Sequence, residues 1–225
     1  METTRLIEQL AAGTSPVRPF LAPWARACLW LLLAIPSTAI VVTLMSPRPD
    51  LASQFADLRF MIEEIAAVAT AVLAAFAAFV CTVPGQSRKI CVLPIVPLAI
   101  WLASVGVACV EDWLALGPKA LALRIDWECM RAAIPAGILP AIVMVAMLRR
   151  GAPVYPRAAL ASGALAVGSL ANAGLQLYHA GDISVMVLIW HFGSVALLSA
   201  IAAWAGRFIL RWPDAASILR ELSRR

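Results

Sequence analysis

The chain is 225 residues long, 62% hydrophobic and 14% charged, with a net charge of +5 and a mean hydropathy of +0.87. Soluble domains are about half apolar and about a quarter charged. The proportions therefore exclude a water-soluble globular enzyme, a disordered chain and a small disulfide-rich secreted fold, and they predict an all-α, polytopic membrane protein.

The first predicted element is a short amphipathic helix. METTRLIEQLAAG offers Thr3 or Thr4 as an N-cap, an apolar group of Leu6, Ile7 and Leu10, and a stop at Gly13. Two to three turns are marginal alone in water, so the apolar stripe needs a surface to cover it. Pro16, Pro19 and Pro23 then make a semi-rigid spacer. A sticky helix on a stalk is built like a helix-in-groove ligand. It is equally built like an interfacial helix lying on its own bilayer, and the residue pattern leaves both open.

Six charge-free stretches of 17 to 24 residues follow, matching the roughly 17–25 that a bilayer core about 30 Å thick requires. They predict spans at about 27–47, 63–83, 90–110, 131–148, 158–178 and 184–206. The six-helix domain thus occupies 28–210, between a cytoplasmic arm, 1–27, and a basic cytoplasmic tail, 211–225. Runs such as AAVATAVLAAFAAFV lack the alternation of barrel strands, and helices are the remaining way to satisfy backbone groups in lipid. One side of this topology holds thirteen Lys and Arg residues (the arm, Arg88, Lys89, Arg149, Arg150, Arg157 and those from Arg207 on). The other holds five: Arg48, Arg59, Lys119, Arg124 and Arg131. That asymmetry places both termini in the cytoplasm. The net positive charge is a topology signal and no sign of nucleic-acid binding.

Between the spans, 111–131 is too charged to cross and is broken at Gly117-Pro118, as a lid or an interfacial helix would be. HAGDIS is a short turn, which makes the last two helices antiparallel neighbours. In the fifth span Gly163, Ala166, Ser169 and Ala173 recur at about one-turn spacing, a face that admits a neighbouring backbone. The tail places Ile218, Leu219 and Leu222 beside Arg220, Arg224 and Arg225, which suits anionic lipid.

Chemistry-bearing residues are few. Glu63 and Glu64 lie at the outer end of the second span and His191 about two turns into the sixth. No base–nucleophile pair points to an enzyme. The prolines Pro36, Pro94, Pro97, Pro135 and Pro140 suit broken transporter helices, so a small transporter or channel is the rival reading. Cys28, Cys81 and Cys91 read as small packing residues. Cys109 and Cys129 fall at the outer ends of their spans, on the face that is oxidising in bacteria. Cys129, His179, Asp182 and His191 supply soft and borderline ligands that suit a divalent metal. The same positions also suit ordinary interfacial residues.

Four segments taken together resemble the NrsF-like family of bacterial six-helix membrane anti-sigma factors. They are LIEQLAAGTSPVRP, WECMRAAIPAGILP, LRRGAPVYPRAALASGALAVGSLANAG and LYHAGDISVMVLIWH. The resemblance implies an inner-membrane protein whose cytoplasmic arm holds an extracytoplasmic-function (ECF) sigma factor. It also implies outer-face cysteines that sense heavy metals or oxidants, without a resident cofactor. Cys129 matches the first of these cysteines. The second, which in the family follows a His after the fifth helix, is replaced here by Tyr178-His179-Ala180. Cys109 as a disulfide partner, or a Cys129/His179 metal site, are the two substitutes this chain offers.

Overall fold

The computed structural model describes residues 3–12, 21–121, 127–151, 154–178, 185 and 187–210. Among these every regular element is helical. Helix α1 covers Thr3–Ala12, α2 Pro23–Leu44, α3 Leu51–Gln54 and α4 Leu58–Val80. A 3-10 turn at Arg88–Val92 leads into α5, Ile95–Leu116, and a second, Gly117–Leu121, follows it. Then come α6, Trp127–Arg149, and α7, Pro156–Tyr178. A π-helical segment, Val187–Phe192, runs straight into α8, Gly193–Ile209.

Five helical stretches are long and apolar enough to cross a membrane: Pro23–Leu44, Leu58–Val80, Lys89–Lys119, Pro156–Tyr178 and Leu188–Ile209. In α6 the shorter stretch Ala133–Arg149 is apolar. Large side chains such as Leu32, Ile40, Leu44, Ile65, Ile142 and Leu197 point outward. Small ones fill the middle: Ala67, Ala71, Ala74, Ala75 and Ala78 of α4 are fully buried. That inversion of the soluble pattern is what lipid allows, because small residues let backbones approach and lipid tails accept the large ones.

The hub is α7, which packs against α2, α4, α6 and α8. Its predicted small-residue face of Gly163, Ala166, Ser169 and Ala173 is buried, and the neighbours it admits belong to the same chain. A Cβ at Gly163 would come within 3.0 Å of Met144 Cγ, and one at Gly174 within 2.5 Å of Thr38 Cγ2. The α7 and α8 helices are antiparallel neighbours, as the short turn predicts, with Gly168 against Val195 and Gly206 against Pro156. Across the bundle, the Trp30 indole N–H donates to the Pro140 carbonyl at 3.0 Å and ties α2 to α6.

Two span edges differ from the sequence reading. Arg26 bounds the first charge-free stretch, yet Pro23 opens α2, at a position where its missing N–H is not needed. Arg26 is thus inside the helix and buried. The third stretch stops before Glu111, yet α5 continues through Glu111 and Asp112 to Leu116. Charge marks where a helix leaves hydrocarbon, and the hydrogen-bonded backbone continues until something breaks it. Here that is Gly117, at φ 58°, followed by Pro118.

Candidate partner-binding and sensor sites

Helix α1 ends at Ala12, one residue before Gly13. All of its described side chains are exposed, and Ile7 keeps 60% of its surface open. The side chains of Leu6 and Leu10 lie outside the described set, although both residues belong to the helix. An apolar side chain left in water loses about 1.5–3 kcal/mol relative to burial. Ile7 is therefore placed to gain from a partner surface.

The helix that follows the spacer is anchored by an arginine. The Arg26 guanidinium donates from Nη1 to Thr82 Oγ1 at 2.9 Å and from Nη2 to the Met147 carbonyl at 2.6 Å. It also lies over the Phe79 ring, 4.6 Å from its centroid. Thr82 can accept because its own hydroxyl donates to the Phe79 carbonyl. This fork joins the start of α2 to the ends of α4 and α6. Sequence reading missed it, since an arginine bounding a hydrophobic run has the appearance of a solvated edge.

The opposite end carries most of the described carboxylates. Arg48 pairs with Asp50 at 2.7 Å, and Arg59 pairs with Glu111 at 2.6 Å, joining α4 to α5. Ser104 Oγ donates to Glu63 at 2.9 Å. Glu64 holds one carboxylate oxygen buried without a hydrogen-bond partner. Cys109 is a free, partly buried thiol on α5. It packs against a small cluster of Ala66, Ala67, Trp101, Val105 and Ala173, within electrostatic reach of Asp112 and Glu63.

His191 is buried in the π-helical segment. Pi turns are rare and concentrate at functional sites, and the charge-free stretch gave no sign of one. Beside it Phe192 meets Trp101 with ring centroids 4.3 Å apart. His191 also lines a cavity of about 660 Å³ among α6, α7 and α8, with Gly137, Ala141, Asn172 and Ser194. Cys109 does not line that cavity. Of the sensor and metal residues expected from sequence, His179 and Asp182 lie outside the described residues, as does the side chain of Cys129 on α6. Among the described residues no three His, Cys, Asp or Glu side chains form a metal cluster.

Fold and surface together define a helical membrane protein that, among the described residues, presents an exposed amphipathic helix ahead of its bundle in the chain. The family model described as "Negative regulator of sigma F" (NrsF) matches residues 10–212, and the chain belongs to that family. The match takes in all six long helices together with Cys109, Cys129, His179, Asp182 and His191, and it begins at Leu10 of the arm. No curated protein and no solved structure matches the chain. Membership makes it a negative regulator of a sigma factor, and a sigma factor is its partner.

Proposed function

We propose that the protein is an anti-sigma factor of the bacterial inner membrane. Six spans hold it with both termini in the cytoplasm. Its arm sequesters an ECF sigma factor through Leu6, Ile7 and Leu10, away from RNA polymerase and without touching nucleic acid itself. A heavy metal or an oxidant at the outer face acts on Cys129, with His179 or Cys109 as its partner, and Asp182 and His191 complete the ligand set for a metal. The signal favours a helix packing in which the arm is less available, and the sigma factor leaves by a shift of population.

The observation that carries this reading is the exposure of α1, an amphipathic helix with Ile7 open at 60%, in a family that regulates a sigma factor. The rival, a small transporter or channel, needs a polar path at mid-depth. The large cavity offers Asn172, His191 and Ser194 among an otherwise apolar lining, which favours lipid or packing over an aqueous route.

The deciding experiment is purification of the intact protein in detergent, with a sigma factor expected to co-purify. Its absence from the purified complex would sink the reading. Reporter fusions at Gly13, Gly117 and Arg225 should read inside, outside and inside. Cys129→Ser, Cys109→Ser and His179→Ala are then compared under cadmium and under oxidant. Loss of release in the first and third supports a metal site, and loss in the first and second supports a disulfide. An unaltered response in Cys129→Ser removes that residue from the mechanism.

A further inference from the structure

Two cysteines meet at the end of the bundle from which the arm departs. Cys81 caps α4, Cys91 lies in the 3-10 turn Arg88–Val92, and the two side chains are neighbours, Cys91 packing against the core cluster that contains Cys81. Both are free. Cys81 is 1% exposed, while Cys91 is half-buried against the same core cluster. The backbone around Cys81 is tied to the rest of the bundle, because its carbonyl accepts the Tyr155 N–H at 3.2 Å and the adjacent Thr82 accepts from Arg26.

We propose that Cys81 and Cys91 form a dithiol that closes into a disulfide under peroxide stress, pinning the end of α4 to the entry of α5. Neither residue belongs to the outer-face sensor. Neighbouring thiols bridge where their Cα atoms stand about 4.4–6.8 Å apart. Cys91 is the sulfur that a small peroxide reaches, since reactivity requires access. Its thiolate attacks one peroxide oxygen and the O–O bond breaks, giving a Cys91 sulfenic acid and, with one proton, water. The Cys81 sulfur then attacks the Cys91 sulfur. The S–S bond forms, the S–O bond breaks, and a second water leaves with the Cys81 proton. In balance, two thiols give up two electrons and two protons, and one hydrogen peroxide becomes two waters.

The place of the bridge gives it a consequence. Thr82, next to Cys81, holds Arg26, and Arg26 stands in the first turn of the helix that carries the arm. A bond at Cys81 therefore stiffens the base on which α1 is mounted. That effect on the partner rests on the proposed function and its orientation, whereas closure of the disulfide does not. In that orientation this end faces the cytoplasm, where thiols are ordinarily kept reduced, so closure reports a failure of that reduction.

The test uses the full-length protein in membrane vesicles, exposed to hydrogen peroxide, then denatured in the presence of the alkylating reagent, digested and read by mass spectrometry. The expected product is a Cys81–Cys91 linked peptide that dithiothreitol reverses, with exposed Cys28 still alkylated as an internal control. Cys91→Ala should abolish the link and leave Cys81 alkylated at an unchanged protein level. Separate alkylation of Cys81 and Cys91 after peroxide treatment would overturn the proposal, as would accumulation of Cys91 sulfinic acid without a bridge. Retention of the sigma factor is measured in the same samples. Failure to retain it before oxidation counts against the function, not the bridge. A bridge that leaves retention unchanged overturns the effect on the arm.

Discussion

The end of the bundle that carries the arm is tied by buried hydrogen bonds between distant segments, while the ion pairs of the opposite end are partly or well exposed. At the first, Arg26 links α2 to α4 and α6, Tyr155 reaches back to Cys81, and Gly206 lies against Pro156. At the second, Arg48 binds Asp50 two residues away, and Arg59 meets Glu111 with both side chains at least 40% exposed. A hydrogen bond to a charged group contributes about 1.5–3 kcal/mol, against about 0–1 kcal/mol for an exposed ion pair. The arm end is therefore the stiffer one. In the proposed mechanism a signal acts most cheaply at the yielding end, and a stiff end would pass the resulting shift to the arm as a unit.

The largest effect is expected at the arm itself. Leu6→Asp combined with Leu10→Asp removes two apolar contacts of about 1.5–3 kcal/mol each. Since 1.4 kcal/mol is a factor of ten, affinity for the sigma factor should fall by about 10²–10⁴-fold. The membrane body should be untouched, because the described side chains of α1 are exposed, and membrane protein levels should stay constant. Full repression by the double variant would make α1 a lipid anchor and leave the stiff end with nothing to transmit.

Thermal unfolding in detergent sets the two ends side by side. Arg26→Ala deletes two charge-assisted bonds and leaves a buried gap, so a loss of about 3 kcal/mol or more is expected. That corresponds to a Tm lower by roughly 6 °C or more for a chain of this size. Arg59→Ala should cost about 0–1 kcal/mol. Equal losses would erase the distinction between the ends.

Glycines give a finer comparison. A Cβ at Gly206 would sit 2.5 Å from the Pro156 carbonyl oxygen, a backbone atom that cannot turn away, whereas one at Gly106 meets nothing within 4 Å. Gly206→Ala should destabilise by about 1–3 kcal/mol. Gly106→Ala should be neutral or stabilising, by about 0.4–1 kcal/mol. The reverse order would mean that α7 and α8 do not meet as described.

How far the sequence reached depends on the kind of information each feature leaves in it. Charge-free length locates a membrane-sized helix: five of the six stretches fall on helices long and apolar enough to cross a membrane, and the fourth falls on the shorter apolar stretch Ala133–Arg149. It is blind to ends, because Arg26 and Glu111 stay helical while charged. The small-residue face of α7 was legible because burial in lipid selects Gly, Ala and Ser at one-turn spacing. The cavity beside α7 was not, since the same small residues serve both to admit a neighbour and to leave room. Cys81 and Cys91 stand ten residues apart across a turn, a spacing with no motif, and only folding makes the two side chains neighbours. Of the expected sensor residues, Cys109 and His191 have different surroundings, which the sequence, placing both near one face, could not separate.

The smallest effect concerns the surface pair at the yielding end. Hydrogen bonds from the Arg48 guanidinium, helped by its charge and by Gln54, hold the Asp50 carboxyl down at about 2, against an ordinary value of 3.8. A carboxyl with a depressed folded-state pKa contributes stability that is fully present above its unfolded value. That contribution disappears as pH falls through the folded value. The pair should therefore help at pH 5 and above, weaken below about pH 4, and contribute nothing below about pH 2. Asp50→Asn removes the titrating group while keeping the shape of the side chain. The Tm difference between the wild-type protein and this variant should shrink steadily between pH 4 and pH 2, and should also narrow in high salt, which screens an exposed pair. A difference that stays constant across that window would show that Asp50 contributes by shape alone, and this end of the bundle would then owe nothing to the ion pair.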